Sequence, residues 1–291
     1  MAPSHQSIIM TVSRDKILTT GAGGMLGSYA NFGIKTTRDM LNVEDLSQVR
    51  ALFMQSRPSV IFHFAAATNL VECEKDPTGT YRANAVGTYN IALAAREIGA
   101  KLVYVSTSAI FDGKKEAPYL ENDIPSPQNH YGHSKYMGEL VVESMLPDAV
   151  IARTCWMFGG GPDKDHKFVA NILKQLEKPK IEVIGGKRGS PTYGKDFVEA
   201  LITLVEEEKG GIFHVVNEGS PTRVEIAREI VKIARASSKV VEADSAVFEK
   251  QYPGAGARGN ESIASTKITL RPWQEALAEY INTEWKRKII S

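Results

Sequence analysis

Tyr131 and Lys135 stand four residues apart in the run Tyr-Gly-His-Ser-Lys. The pattern there predicts a helix over 131–145, so both side chains share one face. An ammonium beside a phenol stabilises the phenolate and lowers a pKa that is otherwise about 10, so a tyrosine so placed can trade protons near neutrality. The pair alone says little. With ten tyrosines in the chain, a Tyr-x-x-x-Lys arises by chance roughly 0.7 times. Its weight comes from Ser106, Thr107 and Ser108, which close an apolar run upstream and are separated from Tyr131 by a loop rich in Pro, Asp and Asn. Taken singly, such hydroxyls read as turn or capping groups. Open α/β sheets, however, bind ligands outside the carboxyl ends of their strands. A hydroxyl, a phenol and an ammonium gathered there form a proton-transfer site.

A second cluster suits an anion. The β-prone run Lys16–Thr20 leads into Thr20-Gly-Ala-Gly-Gly-Met-Leu-Gly27. Gly21, Gly24 and Gly27 answer three needs: a tight turn out of the strand, close approach of backbone amides (Met25 and Leu26 included) to a pyrophosphate, and close packing on the sheet. The start of a following helix is expected to add N–H groups and a partial positive charge. That helix is cut short, to about residues 25–31, and the second strand is expected at 34–37. A carboxylate at that strand end would bond the ribose 2′-OH and select NAD. Thr36, Thr37 and Arg38 stand there instead, and a hydroxyl with a guanidinium suits a 2′-phosphate. This puts NADPH ahead of NADH. In the alternative, Arg38 is a solvated loop charge and Asp39 serves the ribose.

The elements that position these residues follow from the apolar pattern. Residues 16–20, 59–65, 101–107 and 149–154 are too apolar for half-exposed strands and too short for helices, the mark of a parallel sheet covered on both faces. Helices are expected over 45–56, 78–98 and 131–145, giving a strand–helix alternation. Beyond residue 157 come helical stretches at 167–177, 194–207, 221–235 and 271–286, shorter strands at 181–184 and 211–216, and a polar, irregular segment at 237–270. The expected architecture is α/β: a Rossmann-type doubly wound parallel sheet over 16–157, after a tail at 1–15. A smaller substrate-binding cap follows over 158–291, from which some chain returns to the sheet. The cleft between the two is the natural substrate site.

Composition narrows the class. The 291 residues carry 35 Lys+Arg against 34 Asp+Glu, without the basic excess of a dedicated nucleic-acid or membrane-surface protein. There is no apolar run near the roughly 20 residues of a bilayer span, and no signal-peptide layout, so the expectation is a cytoplasmic protein. Cys73 and Cys155 make no disulfide framework, and Cys155 reads as a small buried hydrophobe. The six histidines show no metal-ligand spacing, so no metal is expected.

At these residues the chain resembles the extended short-chain dehydrogenase/reductases. The resemblance rests on the turn from Thr20 to Gly27, Ala65-Ala-Ala67, Asn84 in Asn-Ala-Val-Gly, the strand-end Ser-Thr, and Tyr131 with Lys135. Val105–Gly113, Tyr131–Glu139, Arg153–Gly159 and Gly189–Thr192 resemble more closely the branch typified by dTDP-4-dehydrorhamnose reductase, which reduces nucleotide-linked 4-keto-6-deoxy sugars. The likeness spans residues 16–285 and is strongest over 101–160.

It implies NADPH as hydride donor, with NADH as the second option. Tyr131 would be the acid at the C4 oxygen, Lys135 its partner and a ribose ligand, and Thr107 a hydrogen-bond partner of the substrate oxygen or the phenol. It puts Ala65, Ala66, Ala67 and Asn84 along the cofactor, Asn84 also buttressing the active-site helix. Thr107, Ser108, Trp156 and Arg258 fall to the substrate, and a homodimer is implied. The chain departs from the family at Ser108, where Asp is common. Ser108 and Ala109 also lack the acidic pair that a sugar-nucleotide dehydratase uses to expel a hydroxyl. A sugar-nucleotide 4-epimerase and a non-catalytic NADP-binding subunit of the same fold remain as alternatives.

Overall fold

The computed structural model describes residues 13–243 and 259–285. Strands β1 (Ile17–Thr20), β2 (Ile34–Thr36), β3 (Val60–His63), β4 (Lys101–Thr107) and β5 (Val150–Thr154) join the strand Gly211–His214 in one parallel six-stranded sheet. From its β2 edge the sheet runs β2, β1, β3, β4, β5 and then Gly211–His214. The chain therefore leaves β1 toward one edge and continues from β3 toward the other. The carboxyl ends of β1 and β3 flank the point where the winding reverses, which is where such sheets open a crevice.

Helices α1 (Leu46–Ser56), α4 (Gly87–Ile98) and α5 (His130–Met145) cover one face, where Val49, Phe53, Ile91, Ala95 and Val142 meet Leu18, Ile61, Tyr104 and Ile151. The helix Gly194–Glu206 covers the other with Phe197, Val198, Leu201 and Val205, against Ile17, Val60, Phe62, Val103 and Val150. Burial on both faces explains why these strands read as unbroken apolar runs.

Four expectations are corrected. The first crossover holds no α-helix: between β1 and β2 there is only the 3-10 turn Leu26–Ser28. A βαβ crossover needs about ten to twelve residues with its helix, and residues 21–33 spend much of that length on the glycine turn. Leu26, Tyr29 and Phe32 cover the sheet where helix would lie. Second, the helix expected over 78–98 is broken. Asp76 caps α3 (Pro77–Tyr81), a π-turn follows at Arg82–Val86, and α4 begins at Gly87. The short α2 (Leu70–Lys75), capped by Asn69, precedes them. Third, 237–270 is not wholly irregular. Lys239–Ala243 pairs in parallel with Lys180–Ile184, and 244–258 lie outside the described residues. Fourth, α5 begins at His130, one residue before the expected start.

The residues from Phe158 onward include a separate core, in which Val169, Ile172, Ile226, Ile230, Leu277 and Tyr280 pack with Trp273 and Trp285. Among the described residues, no helix is long and apolar enough to cross a membrane.

Candidate active site

The seating of α5 sets Tyr131 and Lys135 beside the end of β4. Asn129 caps the helix, its Oδ1 accepting from the Gly132 amide at 2.7 Å. A Cβ at Gly132 would lie 2.2 Å from the Ala109 carbonyl oxygen. Glycine thus lets the first turn of α5 press on the turn Ser108–Ile110 that ends β4. Thr107 is held by the same turn, its Oγ1 accepting from the Ala109 amide at 3.1 Å.

Lys135, one turn beyond Tyr131, is 3% exposed. Its Nζ lies 4.1 Å from the centre of the Tyr104 ring, and the Tyr104 hydroxyl donates to the Lys135 carbonyl at 3.0 Å. Burial pushes this ammonium down to about 7, against the pull of Glu139 one turn further along α5. Glu139 is itself held by the buried Arg153 guanidinium, at 3.0 and 2.7 Å. Lys135 can therefore exchange its proton near neutral pH. Beneath it, His63 is pushed down to about 3 by burial and by the Lys135 charge. Neutral His63 bonds the hydroxyls of Thr20 at 2.8 Å and Thr88 at 3.2 Å, tying the end of β1 to α4.

A cavity of about 720 Å³ runs over the switch point. Gly21, Gly24, Met25, Leu26, Arg38, Ala65, Ala66, Ala67, Tyr131 and Lys135 all line it. Gly21 has φ +67, and a Cβ there would lie 2.6 Å from the Ala65 nitrogen. The turn thus crosses close over the end of β3. Ser106 also lines the cavity, and its buried hydroxyl has no hydrogen-bond partner among the described residues. A cavity lined by the glycine turn, an arginine, an orphaned hydroxyl and a buried lysine fits a dinucleotide.

Three residues expected along the cofactor do not line this cavity. Gly27 is buried and tightens the turn, since a Cβ would lie 2.1 Å from the Ala22 oxygen. Thr37 stands behind Gly23, its methyl 3.5 Å from where a Cβ would sit. Asn84 is fully buried. Its side chain accepts from the Ala67 amide at 2.8 Å and donates to the Ala67 oxygen at 3.0 Å and the Ser134 hydroxyl at 2.9 Å. It fixes the loop after β3 against α5.

A second cavity, of about 460 Å³, shares Thr68, Asn69, Tyr131, Thr154, Met157 and Lys167 with the first. Thr107, Ser108 and Trp156 line it, together with Lys187, Arg223 and Glu261. Trp156 is held in a left-handed conformation, φ 36, a strain of about 1–3 kcal/mol. Its ring packs on Gly189, where a Cβ would come within 2.4 Å. Its Nε1 donates to Glu261 at 3.0 Å, and the Arg223 guanidinium lies 5.0 Å from the ring centre.

Arg258 lies outside the described residues. The nearby Asn260 and Ser262 are buried and line neither cavity, Asn260 donating to the Lys115, Glu116 and Ala117 carbonyls. Sequence reasoning missed Lys167, Lys187, Arg223 and Glu261, which share no spacing and come from four separate segments. Cys155 is buried, accepts from the Ser190 amide and donates to the Glu261 carbonyl.

Comparison with known proteins bears on what this arrangement does. The RmlD substrate binding domain family matches residues 15–285. The chain is 34% identical to the spore coat polysaccharide biosynthesis protein SpsK of Bacillus subtilis over 277 residues, covering 91% of this chain and 96% of that protein. It is 32% identical to a dTDP-4-dehydrorhamnose reductase of Mycobacterium tuberculosis over 286 residues, 91% of each. Among solved structures it resembles dTDP-4-dehydrorhamnose reductase from Bacillus anthracis in complex with NADP. The TM-score is 0.85 and the identity 30%, over 92% of this chain and 99% of that one.

Proposed function

The chain belongs to the RmlD substrate binding domain family, and on that premise we propose that it reduces the 4-keto group of a nucleotide-activated 4-keto-6-deoxy sugar with NADPH. The observation that carries this reading is the place of Tyr131, on the boundary where the two cavities meet, with Lys135 buried behind it. The first cavity takes the dinucleotide, Arg38 facing its 2′-phosphate and the amides of the glycine turn its diphosphate. NADPH, when bound, supplies the hydride. The second cavity takes the sugar, with Trp156 held rigid as a wall and Thr107 near the reacting oxygen.

Tyr131 donates its proton to the C4 oxygen as negative charge develops there. Lys135 lowers the cost of the phenolate that remains and replaces the proton. The reductase relative of Mycobacterium tuberculosis and the NADP-bound reductase structure from Bacillus anthracis support the reading. Ser108, without a carboxyl group, supports reduction over dehydration, and Arg38 supports a reductase using NADPH over an epimerase retaining NAD.

The test is NADPH oxidation by purified protein with a dTDP-4-keto-6-deoxy sugar, prepared with and without a 3,5-epimerase. Turnover only after epimerisation identifies a rhamnose-type reductase, and turnover without it a reductase for another deoxysugar. Tight NADPH binding without oxidation of any keto sugar replaces the reading with a non-catalytic cofactor-binding subunit. The reading extends to a homodimer in the cytoplasm. Val86 and Tyr89, beside and on α4, and Met137 and Leu140 on α5 are each more than two-fifths exposed, an apolar area on adjacent helices suited to self-association. Sedimentation as a monomer would remove the dimer.

A further inference from the structure

The turn after β1 lacks the helix whose dipole would ordinarily face a dinucleotide's diphosphate. Residues 21–33 also contain no charged side chain. A cation from the cap stands at that turn instead. Lys164 Nζ donates to the Gly23 carbonyl at 2.7 Å across 141 residues of sequence, and Gly23 and Gly24 line the first cavity. We propose that Lys164 is a cofactor-binding residue, its ammonium meeting the diphosphate of bound NADPH and supplying the positive charge lost with the helix. This rests on the dinucleotide reading of the first cavity.

The position of Lys164 is built by the fold. It ends the short helical turn Gly161–Lys164, and the glycines before that turn are pinned to the shortened crossover. The Tyr29 hydroxyl accepts from the Gly160 amide and donates to Glu284 at 2.7 Å. Glu284 also accepts from the Tyr193 hydroxyl at 2.6 Å. Gly159 has φ +139, and a Cβ there would lie 2.6 Å from the Tyr29 oxygen, so a side chain would push the loop off the turn. Following Lys164, the fully buried Asp165 accepts from the Tyr280 hydroxyl at 3.0 Å, the Lys167 amide at 2.9 Å and the Gly159 amide at 3.4 Å. The segment that lost its helix is thus the one to which the lysine-bearing loop is fastened.

The charges along the cavity leave a place for it. Arg38 stands at the end near β2, and Lys135 and Lys167 at the end near Tyr131. The acids Glu44 and Glu72 are engaged, by Arg82 at 2.9 Å and Lys75 at 3.0 Å, and Asp76 caps the Gly79 amide. At the glycine turn itself the cation is Lys164, whose Nζ bonds the Gly23 carbonyl, whereas Lys35 bonds Asn31 near the other end of the crossover.

The experiment is a binding titration of wild type, Lys164→Met and Lys164→Arg with NADPH and with adenosine 2′-monophosphate, at low and high salt. Lys164 is exposed, so both variants should fold. The methionine variant should bind NADPH about tenfold more weakly at low salt, with arginine restoring most of the loss. The difference should shrink at high salt. Affinity for adenosine 2′-monophosphate, which has no diphosphate, should not change. An unchanged NADPH affinity, or an equal loss for both ligands, would overturn the proposal, the latter by marking a turn that has merely lost its shape. Wild type that fails to bind NADPH would overturn the dinucleotide reading itself, and with it this role for Lys164.

Discussion

Replacing Lys135 with methionine should abolish turnover and make the cofactor-free protein more stable. Burial holds the Lys135 ammonium down to about 7, from 10.5 in an open chain. The unfolded chain therefore keeps this proton over a range in which the folded protein has lost it. Stability rises with pH wherever the unfolded state binds more protons. The penalty is thus complete below about pH 7 and is relieved as the pH climbs toward 10.5. At ~1.4 kcal/mol for each tenfold in the equilibrium constant, the ceiling is about 5 kcal/mol. Loss of the contact with the Tyr104 ring returns on the order of 1–2 kcal/mol, leaving a net gain of about 3 kcal/mol.

Glu139 remains bonded to Arg153 in the variant, so the substitution orphans no buried charge. His63 and His214, held at about 3 and about 4 when folded, are neutral in both folded proteins across this window, and their titration in the unfolded chain is common to both, so it cancels in the gap. Urea unfolding of both cofactor-free proteins between about pH 6 and about pH 9 should show the gap widest at the acid end. Above pH 7 it should narrow by about 1.4 kcal/mol per pH unit. A gap independent of pH, or a wild type more stable than the variant at about pH 6, would refute the argument.

Three further outcomes are expected. Tyr131→Phe should cut kcat by at least about a hundredfold while leaving the Kd for NADPH within a few-fold, because only the proton donor is removed; substantial turnover would transfer the acid role to another group. Arg38→Ala should weaken NADPH binding much more than NADH binding, read by titrating each, and equal losses would take the 2′-phosphate away from Arg38. Gly132→Ala should cost more than about 2 kcal/mol in thermal or urea unfolding and lower turnover as well, since its Cβ would force α5 off the Ala109 carbonyl; a variant of wild-type stability and activity would show that this seating does not position Tyr131.

Much of the fold was legible along the chain. The parallel strands announced themselves as short apolar runs because both faces of the sheet are covered. Gly21 marked the tight turn after β1 because a backbone at φ +67 pressed on Ala65 admits little else. Tyr131 and Lys135 share a face by helical spacing alone. These are local properties, set by a few consecutive residues and their backbone preferences.

The remainder was decided by the tertiary structure. Asn84, read both as a cofactor contact and as a buttress of α5, braces Ala67 and Ser134 because a π-turn directs it into the interior. The missing first helix could be read as a shortening, but only packing showed Leu26, Tyr29 and Phe32 covering the sheet in its place. Lys167, Lys187, Arg223 and Glu261 converge on the two cavities, and Lys164 reaches the glycine turn, from segments with no common spacing. The proton affinity of Lys135 depends on Tyr104 from β4, on Glu139 one turn along, and on the water that their packing excludes. Desolvation and long-range convergence are properties of the folded volume, and no interval along the chain encodes them.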